Sequence, residues 1–268
     1  MQRIFLVLML VFAVSFAEEA NESEICQPVP LTRIFDGILI NSGKSLIFNY
    51  GIQLAVMSAG TYAMVETGLD WEWREFAYRH KPVRDAGTPA VTAGGLFPIL
   101  VPVSLYSIGR FNENSKLQLA GIAVAQASIL TTALTTGIKA FTSRQEPHLF
   151  GSDRREAHED FSDDFQFGFL RRVPFDGWPS GHTSAAWAMA AVLTEFYPDN
   201  ILLAAGLYTY AAYIGLGVST TIHWLSDGFA GALFGYAVGK TVARHFLNQN
   251  SRVSIVALPN QVSVIWKI

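Results

Sequence analysis

LQLAGIAVAQASILTTALTTGI, Leu117 to Ile138, is a run of 22 residues without one Asp, Glu, Lys or Arg. As a helix it is roughly 30 Å long, enough to cross the hydrocarbon core of a bilayer. Three more runs of this kind surround it: Ser45 to Val65, Val91 to Gly109 and Ile201 to Ile222, of 21, 19 and 22 residues. Shorter uncharged runs cover His182 to Thr194 and Gly228 to Gly239. Asn49, Gln53, Gln118 and Gln126 interrupt these runs, and Ala, Gly, Ser and Thr are frequent in them, which suits closely packed helices. Buried core helices and membrane spans are both open on this pattern. Either way it predicts six helices and an all-α fold.

The rest of the chain supports that division. Of 268 residues, 50% are hydrophobic and 15% charged, against about 25% charged in an ordinary soluble domain. Residues 140 to 180 hold 13 of the 41 charges, which marks a polar insertion between helical segments. The net charge of −3 argues against a nucleic-acid partner and against a disordered chain. The single cysteine, Cys26, excludes an internal disulfide and a cysteine zinc cluster.

At the start, Arg3, the apolar run Ile4 to Phe16, and small residues at Ser15 and Ala17 read as a signal peptide over residues 1 to 17, cleaved before Glu18. An uncleaved anchor is the alternative. One helical domain is expected from about residue 30 to 250. Residues 251 to 268 form a tail in which Arg252 to Leu258 and Val262 to Trp266, around Pro259 and Asn260, predict a small β-hairpin.

The chemistry lies where the uncharged runs meet the polar insertion. Pro179-Ser180-Gly181-His182 stands immediately before an alanine-rich helical run, so the helix-start amides and the Ser180 hydroxyl can hold an anion. An ordinary serine cap is the plainer reading. Forty-one residues after His182 comes His223, four before Asp227. That spacing puts both on one helical face, where the carboxylate can orient the imidazole and leave its other nitrogen nucleophilic. Lys139 closes the 117–138 run, either pointing at a bound phosphate or reaching out at a helix end.

Together these features resemble the phosphatidic acid phosphatase type 2 superfamily, which includes membrane lipid phosphatases, exported acid phosphatases and vanadium haloperoxidases. The resemblance covers roughly residues 45 to 245 and rests on three motifs: Lys, six residues, Arg-Pro; Pro-Ser-Gly-His; and Ser-Arg, five residues, His, three residues, Asp. Here the first is Lys139 to Pro147, the second Pro179 to His182, and the third ends in His223-Trp224-Leu225-Ser226-Asp227. The resemblance implies a six-helix bundle and phosphoryl transfer through a phosphohistidine, with no metal and no cofactor. It makes His223 the nucleophile, Asp227 its orienting partner and His182 the general acid. Lys139, Ser180 and the Gly181 amide are expected to bind the phosphate oxygens.

Two positions depart from the pattern. Glu146 stands where the first motif has arginine, and Leu216-Gly217 where the third has Ser-Arg. Each lost oxyanion donor can cost about 10²- to 10³-fold in rate. Arg144 is the first candidate to compensate, followed by Arg154, Arg155, Arg171 and Arg172, which otherwise pair with acidic neighbours on a solvated loop. The acidic cluster from Asp153 to Asp164 has neither calcium-loop nor zinc-helix spacing.

The expected protein is therefore a membrane-associated phosphatase of the cell envelope. Its substrate is a lipid phosphate or other phosphomonoester, its surroundings are membrane lipid, and its site faces the exported side. Two rivals share the motifs: a catalytically silent relative that binds lipid or serves structurally, and a vanadate-dependent peroxidase, which needs the same anion pocket.

Overall fold

The apolar helices begin where a side chain can occupy the first free amides. Asn114, Ser180 and Asn200 each precede a helix and accept from the N–H groups of Leu117, Thr183 and Leu203. The computed structural model describes residues 28–48, 51–147, 159–172 and 177–250, and the backbone of 253–258 and 261–266. The signal-peptide reading falls outside these residues.

The helices are α1 (Ile38–Gly43), α2 (Gly51–Glu66), α3 (Leu69–Arg79), α4 (Lys81–Gly87), α5 (Pro89–Phe111), α6 (Ser115–Thr142), α7 (Gly181–Phe196), α8 (Ile201–Ser219) and α9 (Leu225–Asn250). The fold is all-α. The expected runs correspond to α2 and α5 to α9, while α1, α3 and α4 are additional. Short length hides α1 and α4 from a search for long uncharged runs, and the charges of Asp70, Glu72, Arg74, Glu75 and Arg79 hide α3. At the end of the chain, β1 (Val253–Leu258) and β2 (Gln261–Trp266) pair antiparallel, with Val253 opposite Trp266.

α6 contributes a long buried face to the bundle. Leu119, Ala120, Ala123, Val124 and Ala127 are all buried in one apolar core with residues of α5, α7, α8 and α9. Its two glutamines are buried because they fasten the N-terminal segment: Gln118 Oε1 accepts from Val29 N–H at 2.9 Å, and Gln126 donates to the carbonyls of Ile34 and Asp36. Small residues set the helix separations. A Cβ on Gly231, Gly235 or Gly239 would run into the α7 backbone at Ser180, Ser184 or Ala188, so this four-residue repeat lets α9 lie directly on α7.

Among the described residues, three helical segments are long and apolar enough to cross a membrane: Lys81–Phe111, Ser115–Thr142 and Ile201–Ser219. The first uncharged run is not among them. It yields a helix of 16 residues that packs peripherally, burying Met57 and Thr61. Large apolar side chains such as Leu96, Leu100, Ile108, Ile201 and Leu202 face outward from α5 and α8, a surface suited to lipid and costly in water.

Candidate active site

Three chain segments converge at the C-terminal end of α6. Ser143 ends that helix in the left-handed region, at φ 44°, and turns the chain so that Arg144, Gln145 and Glu146 run beneath the starts of α7 and α9. The indole N–H of Trp224 donates to Gln145 O at 2.8 Å, and Ser180 N–H donates to Asp227 O at 3.0 Å. Gly177 passes so close to Arg144 that a side chain there would meet the Arg144 carbonyl, and its own φ of 75° also favours glycine.

A cavity of about 1460 Å³ opens at this junction and extends between α5 and α6 as far as Tyr106. Most of it is apolar. Its polar end is made by Lys139, Glu146, Gly181, His182 and His223. The rings of His182 and His223 stand 6.1 Å apart and inclined at 64°, a gap in which a phosphoryl group can reach both. Gly94 allows α5 to pass beside His182, since a Cβ there would lie 3.1 Å from His182 Cβ.

Asp227 is completely buried behind His223. Its Oδ2 lies 3.3 Å from His223 Nδ1 and accepts from Trp224 N–H at 3.0 Å. A carboxylate can only accept, so Nδ1 carries the proton and Nε2 keeps its lone pair for the cavity. Burial alone would raise the Asp227 carboxyl. The adjacent Arg144 charge, the bond and charge of His223, and the Trp224 amide outweigh it and hold the group below its ordinary range. His182 is lowered to about 4 by burial, then by the charges of His223 and Lys139. Glu146 is raised, chiefly by burial.

A family model described as the PAP2 superfamily matches residues 120–251, which include every residue of this polar end. The chain belongs to the PAP2 superfamily. No curated protein and no solved structure matches it.

Four of the residues expected from the superfamily motifs, Lys139, Gly181, His182 and His223, line the cavity together, and Asp227 backs them. Two others are placed differently. Ser180 is fully buried as the cap of α7, its hydroxyl facing Thr183 N–H and Oγ1, so the cap reading describes it better than phosphate contact. Arg144 corrects the expectation of a compensating cation. It lies behind the site, wholly buried, donating to Asp227, Asp70, Ser226 Oγ and the Ser162 carbonyl, with the Phe165 ring 4.8 Å away. A guanidinium so committed has no donor directed to the cavity. Of the loop arginines, Arg172 pairs with Asp164 and the Ser143 carbonyl, Arg171 lines no part of the cavity, and Arg154 and Arg155 lie outside the described residues.

The two departures from the PAP2 pattern also differ from each other. At Gly217 a Cβ would collide with Ala90 Cβ and approach Gly87 O to 2.9 Å, so the position that the superfamily gives to arginine is here a helix contact between α8 and the α4–α5 turn. Glu146, by contrast, does face the cavity. Its Oε1 accepts from Gly177 N–H at 3.2 Å and lies 3.8 Å from His223 Nδ1. Among the described residues lining the cavity, Lys139 is the one Lys or Arg.

Sequence reasoning missed Asp70. This buried carboxylate, at the start of α3, accepts from Arg144 and from both the N–H and hydroxyl of Ser226, and so joins α3 to the turn that carries His223 and Asp227. Trp73 and Arg74 on the same helix donate to Ser219 Oγ and Thr221 O. The amphipathic pattern of the segment was the available signal, but its partners are distant in sequence.

Proposed function

We propose that the protein is a metal-independent phosphatase that removes phosphate from a lipid-linked phosphate or pyrophosphate through a phosphohistidine. The observation that carries this is the pair His182 and His223 facing each other across the polar end of an apolar cavity, with buried Asp227 orienting His223. His223 Nε2 attacks phosphorus, and the ester P–O bond breaks. The His182 imidazolium gives its proton to the departing oxygen, and water then cleaves the N–P bond to release phosphate. Lys139 and the first amides of α7 hold the phosphoryl oxygens. Asp227 stabilises the charge that forms on His223.

The cavity's shape supports an amphiphilic substrate. From Lys139 back to Gly121 it follows α6 for about 27 Å, room for an extended acyl or isoprenyl chain. The experiment is phosphate release from phosphatidic acid, phosphatidylglycerol phosphate and isoprenyl pyrophosphate, each with and without chelator. His223→Ala is expected to abolish release and any acid-labile phosphoenzyme; unchanged turnover overturns the reading. A second reading, a silent superfamily member that binds lipid or serves structurally, is favoured by the presence of Lys139 as the one Lys or Arg in the described lining. Lipid binding with no phosphate release from any of the three substrates would establish it.

We further propose that the mouth opens on the exported side of an envelope membrane. Arg110 and Lys116 flank the α5–α6 connection at the opposite end, which the positive-inside tendency places in the cytoplasm. Val29 is bound at that same end by Gln118 and Tyr106, so a chain cut before Glu18 and starting outside would instead turn the mouth inward. In a protein without Cys26, cysteines at Glu113 and Gln166 separate these cases. Labelling by an impermeant maleimide at 166 but not 113 supports an exported mouth, and the reverse overturns it.

A further inference from the structure

The place of an arginine in the first PAP2 motif is taken by a carboxyl group that lies in the cavity, beside His223 and within the field of Lys139. Ionised, Glu146 opposes an incoming phosphate. Neutral, it is a different kind of group, with a hydroxyl that can donate to a phosphoryl oxygen. The geometry assigns the proton to a particular oxygen. Oε1 is held by Gly177 N–H and lies beside His223 Nδ1, while Oε2 takes no hydrogen bond among the described residues.

We infer that Glu146 binds the phosphoryl group as a neutral carboxylic acid, donating from Oε2 in place of the absent arginine, so that the site accepts phosphate in acid and rejects it once Glu146 ionises. This rests on reading the cavity's polar end as a phosphoryl site. The groups that act on Glu146 are His223 and Asp227 at the start of α9, Lys139 at the end of α6, and the Gly177 amide. Burial is the largest influence and favours the neutral form, and Asp227 adds to it; His223, Lys139 and the amide oppose them without reversing the direction. Bound phosphate, itself negative, favours the neutral acid further.

The test compares the full chain with Glu146→Gln, which keeps a neutral donor at every pH, and Glu146→Ala, which has none. Binding of inorganic phosphate by calorimetry is followed across the pH range, together with turnover. The titration of phosphate is common to all three proteins and cancels in the comparison, and that of His223, which feels the Glu146 charge, is matched between Glu146→Gln and Glu146→Ala, both of which lack the carboxylate. Above the ionisation of Glu146, the natural protein is expected to lose affinity about tenfold per pH unit relative to Glu146→Gln. In acid, Glu146→Ala is expected to turn over about 10²-fold more slowly than either. Parallel binding profiles for the natural protein and Glu146→Gln, or no phosphate binding at any pH, overturn the inference. Phosphate binding that follows the expected pH dependence without turnover of any lipid substrate leaves the inference standing and overturns the phosphatase reading instead.

Discussion

Arg144 and Asp227 hold each other out of water: the guanidinium Nη1 donates to Asp227 Oδ1 at 2.5 Å, and neither side chain has exposed surface. Asp70 completes the cluster on the other guanidinium nitrogen at 2.7 Å. The orienting carboxylate of the candidate nucleophile is thus itself oriented, by a cation from the segment after α6 and a helix that packs over the turn.

Arg144→Ala leaves two buried carboxylates without their counter-charge. Removing one partner of a buried ion pair costs about 3–5 kcal/mol, because the remaining charge stays desolvated. A large fall in the thermal unfolding midpoint is expected, accompanied by loss of phosphate release. A midpoint within a degree of the natural protein's would show that the cluster is not structural.

Asp227→Asn keeps the shape of the turn but changes what faces His223. An amide can present its N–H to Nδ1, which favours the tautomer protonated on Nε2 and removes the attacking lone pair. Phosphoenzyme formation is expected to slow by about 10⁴-fold, by the magnitude known for the comparable change in a serine protease triad. Measured in a rapid-quench experiment, wild-type formation rates in this variant would remove Asp227 from the mechanism.

Gly217→Arg restores the motif residue of the superfamily, and a rescue of activity would be the naive expectation. The opposite is predicted here. The new side chain meets Ala90 and the Gly87 carbonyl, so the substitution separates α8 from the α4–α5 turn and destabilises the bundle by at least the 1–3 kcal/mol typical of overpacking. Denaturant unfolding checks this, and a variant both stable and faster would contradict the close helix contact.

The pH dependence follows from His182. In the proposed role of general acid it must carry its proton, yet in the free protein burial and the charges of His223 and Lys139 lower its pKa to about 4. Above that value kcat/KM is expected to fall as pH rises. A bound phosphate anion stabilises the imidazolium, so the corresponding fall in kcat lies at higher pH. Separate pH profiles of kcat and kcat/KM test the order of the two limbs; coincident limbs would show that substrate does not touch this titration.

Much of this arrangement could be read directly from the chain. The runs lacking charge mark the long helices α2 and α5 to α9, because burying an unpaired charge is costly in a packed core and in lipid alike. The four-residue spacing of His223 and Asp227 does bring them together, though not on one helical face: His223 stands in the turn before α9, and Asp227 in the first turn of that helix reaches back to it and to Trp224 N–H. The same local logic is blind to direction. Arg144 is only two residues from the motif position, yet the left-handed turn at Ser143 sends it behind Asp227.

By itself, then, the sequence determined the all-α class, since periodicity expresses local backbone physics, and its likeness to the superfamily motifs singled out the two histidines. Only the tertiary structure decided which charges reach the cavity. Asp70 meets Ser226 across 156 residues, Gly217 is filled by Ala90 and Gly87 from other helices, and Glu146 alone of the two substituted positions faces inward. A charge takes its role from its neighbours in space, through Coulomb energy and desolvation, and those neighbours are brought together only when the helices pack.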